Sequence, residues 1–175
     1  MGEELGEAIE RARKLELDGI EFYTDAAQKC SVLPGKRMFE SFAADERRHL
    51  KIIEDVGKGL GVDIDQLPMP RDEIRTLFSE ATETLDDAIR ATAQERDAVR
   101  IAMDMEAKSF ELYKGAAAEA TEETPRKLFE RLAREENQHY EMLENTLEYL
   151  SSNEEWFMWN EWALIVGDQS SLGQG

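Results

Sequence analysis

Two hexapeptides decide how this chain reads: Ala44-Asp45-Glu46-Arg47-Arg48-His49 and Arg134-Glu135-Glu136-Asn137-Gln138-His139. In each, a glutamate precedes a histidine by three residues, so on a helix both side chains share one face, a turn apart. His49 and His139 are the chain's 2 histidines, and their numbers differ by 90. Working outward, the same offset relates Glu16 to Glu106, Tyr23 to Tyr113, Phe39 to Phe129 and Ala43 to Ala133. Glu16 precedes Glu46 by 30 residues, and Glu106 precedes Glu136 by 30. A duplicated helical hairpin accounts for all of these matches and predicts an internal twofold relation.

Helix formers dominate the composition, and the 4 Pro and 11 Gly cluster at the breaks. Apolar residues recurring every three or four positions predict helices over 3–29, 34–58, 92–120 and 124–150. Their inward stripes read Ile9, Ala12, Glu16, Gly19, Tyr23, Ala26; then Phe39, Phe42, Glu46, His49, Ile53. The second half repeats this with Val99, Ala102, Glu106, Ser109, Tyr113, and with Phe129, Leu132, Glu136, His139, Leu143. Pro34 suits a first helical turn, Thr92-Ala93-Gln94-Glu95 matches a capping box, and Thr124-Pro125 reads as a cap and first turn. Short breaks make each helix pair an antiparallel hairpin. The long connection over 59–91, with short helices expected near 71–79 and 84–91, can cross the length of a bundle. The expected fold is therefore all-α: a ferritin-like four-helix bundle of two hairpins (3–58 and 92–150) joined by one long crossover. The whole chain, 1–175, is expected to form one domain, with 151–175 as a short terminal helix or tail.

Composition narrows the function classes. The 39 acidic residues against 21 basic ones give a net charge of −18, which argues against nucleic-acid binding. A single cysteine excludes an intrachain disulfide and a four-thiolate metal site. The purely apolar runs reach only Trp162 to Val166, far short of the roughly 20 residues of a membrane helix. The acidic start, Met1-Gly2-Glu3-Glu4, has no apolar core of a signal peptide. A cytoplasmic protein is expected.

The helical spacing has a chemical consequence. Glu16 lies about 20 Å before the end of its helix, and Glu46 about 18 Å into the next, at 1.5 Å per residue. In an antiparallel hairpin the two carboxylates then stand at one height, and Glu106 and Glu136 repeat the arrangement. Face-to-face packing of the hairpins collects four carboxylates and two imidazoles at mid-bundle. Four ionised carboxylates in a dry core repel one another and are costly to desolvate. Two divalent cations neutralise them, as do two ferric ions with a bridging oxide. Carboxylate oxygens with one imidazole per metal suit iron or manganese better than structural zinc. One Glu and one Glu-x-x-His from each half is the general pattern of di-iron carboxylate bundles.

The segments Glu16 to Tyr23 and Glu106 to Tyr113, with the two hexapeptides, resemble rubrerythrin-like proteins of the ferritin-like superfamily over about residues 5–150. The resemblance implies metal ligands at Glu16, Glu46, His49, Glu106, Glu136 and His139. Glu46 and Glu136 would bridge the metals, and Glu16 and Glu106 would be terminal. Two departures stand out. Full rubrerythrins carry a rubredoxin-like site of four cysteines, which Cys30 alone cannot form, so electrons are expected from a separate rubredoxin-like donor. Rubrerythrins also carry an extra carboxylate one turn after the second-half glutamate, where this chain has Ser109, leaving a six-ligand set closer to a ferroxidase centre.

The leading functional expectation is a di-iron oxidoreductase reducing hydrogen peroxide or dioxygen in oxidative-stress defence. The alternatives are ferroxidation with iron handling, and a non-catalytic helical interaction protein whose buried acids pair with Arg or Lys. A homodimer is expected. Tyr23 and Tyr113, seven residues beyond Glu16 and Glu106, either bond a carboxylate across the bundle, act in redox chemistry, or are plain core tyrosines. Asp45 is expected to face His139 and Glu135 to face His49, because a metal-bound histidine usually donates its remote N–H to an acceptor. Cys30 reads as an incidental small residue at a helix end. The three tryptophans, Trp156, Trp159 and Trp162, suit a bundle cap or a subunit interface.

Overall fold

The structure is a computed structural model and describes residues 3–64 and 93–153. The helices expected within 71–79 and 84–91, and the tryptophan-rich tail, lie outside the described residues. Four long helices make up the described fold: α1 Glu3–Lys29, α2 Leu33–Gly57, α3 Ala93–Glu119 and α4 Glu123–Asn153. No strand occurs among the described residues. Helices α1 and α2 pack along each other, as do α3 and α4, and the two hairpins meet through α1 with α3 and α2 with α4. This is an all-α four-helix bundle, as the stripes predict.

The helix ends have local causes. Val32 caps α2 in an extended conformation, and Pro34 falls in the first turn, where its missing N–H costs nothing. At the far end Gly59 takes φ 73°; its N–H bonds Val56 O at 2.9 Å, and Leu60 N–H bonds Asp55 O at 3.0 Å. That pairing is a Schellman cap, which needs a left-handed residue at the position Gly59 occupies. The start of α4 departs from expectation. Arg126 N–H bonds Glu122 O at 3.2 Å, so the helix starts at Glu123 and Thr124 lies inside it rather than capping it. Pro125 still falls in the first turn, among the amides that have no helical acceptor. Of the expected capping box, Thr92 is outside the described residues. Glu95 is buried, and its Oε1 accepts from Ser31 N (3.0 Å) and Ser31 Oγ (3.1 Å), tying the α1–α2 turn to the start of α3.

Two apolar clusters fill the bundle, one toward each end. The first joins Tyr23, Phe39, Phe42, Val99, Ala102 and Leu143; the second joins Ile9, Ala12, Ile53, Tyr113, Phe129 and Leu132. Repeat partners thus fall in opposite clusters: Ala12 with Ala102, Phe39 with Phe129, Ile53 with Leu143. Tyr23 stacks on Phe42 with ring centroids 5.2 Å apart, and Tyr113 stacks on Phe129 at 6.1 Å. Nearly every expected inward residue is buried. Ser109 is the exception, being only half-buried. It borders a cavity between α1 and α3, so no neighbour covers it fully.

Phe129 is fully buried, so Phe129→Ala should cost about 3–5 kcal/mol, lost transfer energy plus a residual cavity. Exposed Glu21→Ala should stay within about 0.5 kcal/mol of the parent chain. Urea unfolding of both variants, monitored by circular dichroism, measures the difference.

Candidate metal centre

Glu16, Glu46, Glu106 and Glu136, one from each helix, reach the mid-bundle layer with His49 and His139, and all six are buried. One donor atom from each of Glu16, Glu46, His49 and Glu136 lies within 4.8 Å of the others, and the same holds for Glu46, Glu106, Glu136 and His139. Donors bound to one ion at about 2 Å stand about 4 Å apart when opposed, so each group could hold a cation. Glu46 and Glu136 belong to both groups. The layer therefore contains two adjoining donor sets that share two carboxylates.

The histidines point one nitrogen into these sets. His49 Nδ1 lies 3.5 Å from Glu16, 3.1 Å from Glu46 and 3.1 Å from Glu136. His139 Nδ1 lies 3.5 Å from Glu106 and 3.8 Å from both Glu46 and Glu136. The imidazoles stack with centroids 5.9 Å apart. Each remote Nε2 meets a carboxylate of the other hairpin: Glu135 for His49 at 2.8 Å, Asp45 for His139 at 3.3 Å. These are the pairings expected from sequence, and they leave Nδ1 as the inward donor.

The tyrosines also cross between hairpins. Tyr23 donates its hydroxyl to Glu106 Oε1, and Tyr113 donates to Glu16 Oε1. Burial, then the neighbouring glutamate charges, push both phenols well above their ordinary range, so they remain protonated donors. Each bond occupies one carboxylate oxygen and leaves the other facing the layer's centre.

Glu16 Oε2, Glu106 Oε2 and His139 Nδ1 are buried and have no hydrogen-bond partner of good geometry among the described residues. Buried polar atoms are rarely left so. The protonation tendencies agree. Burial, then the charge of Glu46, raises Glu16 well above the usual carboxylate range. Burial, then Glu136, pushes Glu106 up to about 8. Burial opposes charging of His49 and His139, but the carboxylates around each ring, Glu16 foremost for His49 and Glu106 foremost for His139, together outweigh it and raise both. The layer thus gathers protons to offset its carboxylates when no metal is bound. Cations held by the inward oxygens and nitrogens would displace those protons. The donor set fits two oxygen-favouring metals with one imidazole each.

Two residues bearing on this layer escaped the sequence reading. Arg48 Nη2 donates to Glu135 at 2.8 Å and Asp45 at 3.1 Å. Arg131 Nε donates to the other Glu135 oxygen at 2.6 Å, and its Nη1 donates to Ile64 O at 2.8 Å. The repeat does not conserve them: Gln138 stands at the Arg48 position and Ser41 at the Arg131 position. Glu135 therefore carries two guanidiniums and Asp45 one. Burial works against ionised Glu135, yet His49 and Arg48 hold it well below the usual carboxylate range. The sequence signal was there in part, since Arg131 precedes Glu135 by one turn. Cys30 is buried, its thiol 3.2 Å from Glu95 and pushed up to about 12 by burial. It is a neutral packing residue, as expected.

Glu135→Ala removes the acceptor of His49 Nε2 and the carboxylate partner of the buried Arg131, so it should destabilise the metal-free protein by about 3–5 kcal/mol. Exposed Glu130→Ala should cost under about 0.5 kcal/mol. Thermal unfolding in chelator checks both.

No curated protein and no solved structure matches the chain. A family model described as Rubrerythrin matches residues 7–147, the span holding both donor sets, and the chain belongs to the rubrerythrin family.

Proposed function

We propose that this protein is a di-iron oxidoreductase that reduces hydrogen peroxide to water. The observation that carries the reading is the pair of adjoining donor sets sharing Glu46 and Glu136, with inward oxygens unpartnered. Glu16 and His49 would hold one iron, Glu106 and His139 the other, and Glu46 and Glu136 would bridge them. The chemistry that a diferrous pair held by these residues would supply is two electrons at once, enough with two protons to take one peroxide to two waters without a one-electron radical. A separate electron-donor protein of rubredoxin type would then restore the reduced state.

The chain's own residues arrange this chemistry. Glu135 and Asp45 accept from Nε2 of His49 and His139, which fixes the ring orientation and turns Nδ1 toward the donor sets. Tyr23 and Tyr113 hold their protons at Oη and keep Glu106 and Glu16 turned with Oε2 inward. The apolar clusters toward the two ends of the bundle lower the polarity around the layer and raise the effect of each charge. A second reading, ferroxidation, is favoured by Ser109, which offers no carboxylate beside Glu106. Manganese or a mixed pair would suit the same donors.

Protein purified without added metal should contain about two irons per chain, one for each donor set. A His49→Ala/His139→Ala double variant should lose that iron while staying folded; full retention overturns the assignment. In stopped flow, peroxide should oxidise the reduced protein faster than dioxygen does. Equal or slower oxidation by peroxide, with many more than two irons retained after aerobic loading, would favour ferroxidation.

A further inference from the structure

A cavity of about 120 Å3 lies between α1 and α3 and reaches the carboxylate layer. Buried Glu16, Glu46 and Glu106 line its inner end, and exposed Asp18 and Lys108 line its outer end. Glu16 Oε2 and Glu106 Oε2, on residues each 2% exposed, have no hydrogen-bond partner of good geometry among the described residues. The opposite side of the layer is filled: Asp45 and Glu135 take the histidine Nε2 atoms, and Arg48 and Arg131 lie against them. A small molecule reaching the carboxylates through this cavity therefore approaches from the side away from the imidazole-bearing helices.

The cavity is kept open by two small residues at the same place in the repeat, Gly19 on α1 and Ser109 on α3. A Cβ at residue 19 would stand 3.2 Å from Glu46 Cγ, tighter than ordinary contact. Any side chain there competes with Glu46 for space. Ser109 faces the same cavity with only a hydroxymethyl group. A cavity of this volume holds a few water-sized molecules. Hydrogen peroxide and dioxygen pass such a space with clearance on every side; an alkyl hydroperoxide with a branched carbon group, several times larger, has to pass Gly19 and Ser109 in close contact.

We propose that the α1–α3 cavity is the entry route for the oxidant, and that Gly19 and Ser109 set its width so that hydrogen peroxide is admitted and bulky alkyl hydroperoxides are excluded. The identity of the substrate rests on the peroxidase reading above; the route does not.

The test uses iron-loaded protein with Ser109→Leu, which fills the cavity, and Ser109→Gly, which widens it. The first readout is the rate of azide binding to the oxidised protein, followed by visible absorption, beside the iron content. Ser109→Leu should keep two irons per chain, one for each donor set, yet take up azide at least about tenfold more slowly, about 1.4 kcal/mol on the entry barrier, since the leucine occupies the space the anion has to cross. Ser109→Gly should take it up at least as fast as the parent. The second readout is single-turnover oxidation of the reduced protein by hydrogen peroxide and by tert-butyl hydroperoxide. The parent should strongly prefer hydrogen peroxide, and Ser109→Gly should narrow that preference. Wild-type azide uptake in fully loaded Ser109→Leu overturns the route. Should Ser109→Leu fail to load, an unchanged peroxide preference in Ser109→Gly overturns it instead. Should the parent react no faster with peroxide than with dioxygen while azide uptake still depends on residue 109, the route stands and the peroxidase reading falls.

Discussion

Four carboxylates at one level of a helix bundle are the constraint on which the rest of this structure depends. Glu16, Glu46, Glu106 and Glu136 are all buried, in a setting where unpaired charge is expensive. The surroundings act mainly to limit that expense. Two imidazoles enter the layer, two tyrosine hydroxyls bond two of the carboxylates, and apolar clusters pack toward both ends of the bundle. Glu16 and Glu106 favour their protonated forms in this setting. A pair of cations would remove the need for those protons, which is why the same residues read as a metal centre.

Duplication makes the arrangement economical. One hairpin brings a Glu, a Glu-x-x-His, a tyrosine and an acid beside the second glutamate. Its copy brings the same, and each hairpin's tyrosine and outer acid serve the other's layer residues. Neither hairpin completes a donor set, because Glu136 must join Glu16, Glu46 and His49, and Glu46 must join Glu106, Glu136 and His139. The site is thus a property of the packed pair. The symmetry is broken at Arg48 and Arg131, which both hold Glu135, and Arg131 also holds the Ile64 carbonyl where the crossover begins.

Much of this was legible residue by residue. The 3.6-residue periodicity located all four helices to within a few residues, because each has a wide apolar face with few competing signals. The six layer residues were legible because polar groups on an apolar stripe stand out, and because the offset of 90 repeats them. Asp45 and Glu135 were legible from the need of a histidine for an acceptor. The start of α4 was misread by a residue or two, since Thr124 has the chemistry of a cap but Arg126 N–H finds Glu122 O first. Glu95, the acid of the expected capping box, also ties the two hairpins together, since its Oε1 accepts from Ser31 in the α1–α2 turn.

By itself, the sequence determined the helices, the hairpin pairing and the set of groups in the buried layer, because these follow from short-range periodicity and from an internal repeat. Only the tertiary structure decided which side chain meets which. Tyr23 crosses to Glu106 over a separation of 83 residues, Arg48 reaches Glu135 over 87, and the cavity at Gly19 and Ser109 depends on how closely two helices approach. Such contacts are set by helix rotation and spacing to within about an ångström, and no local pattern encodes that.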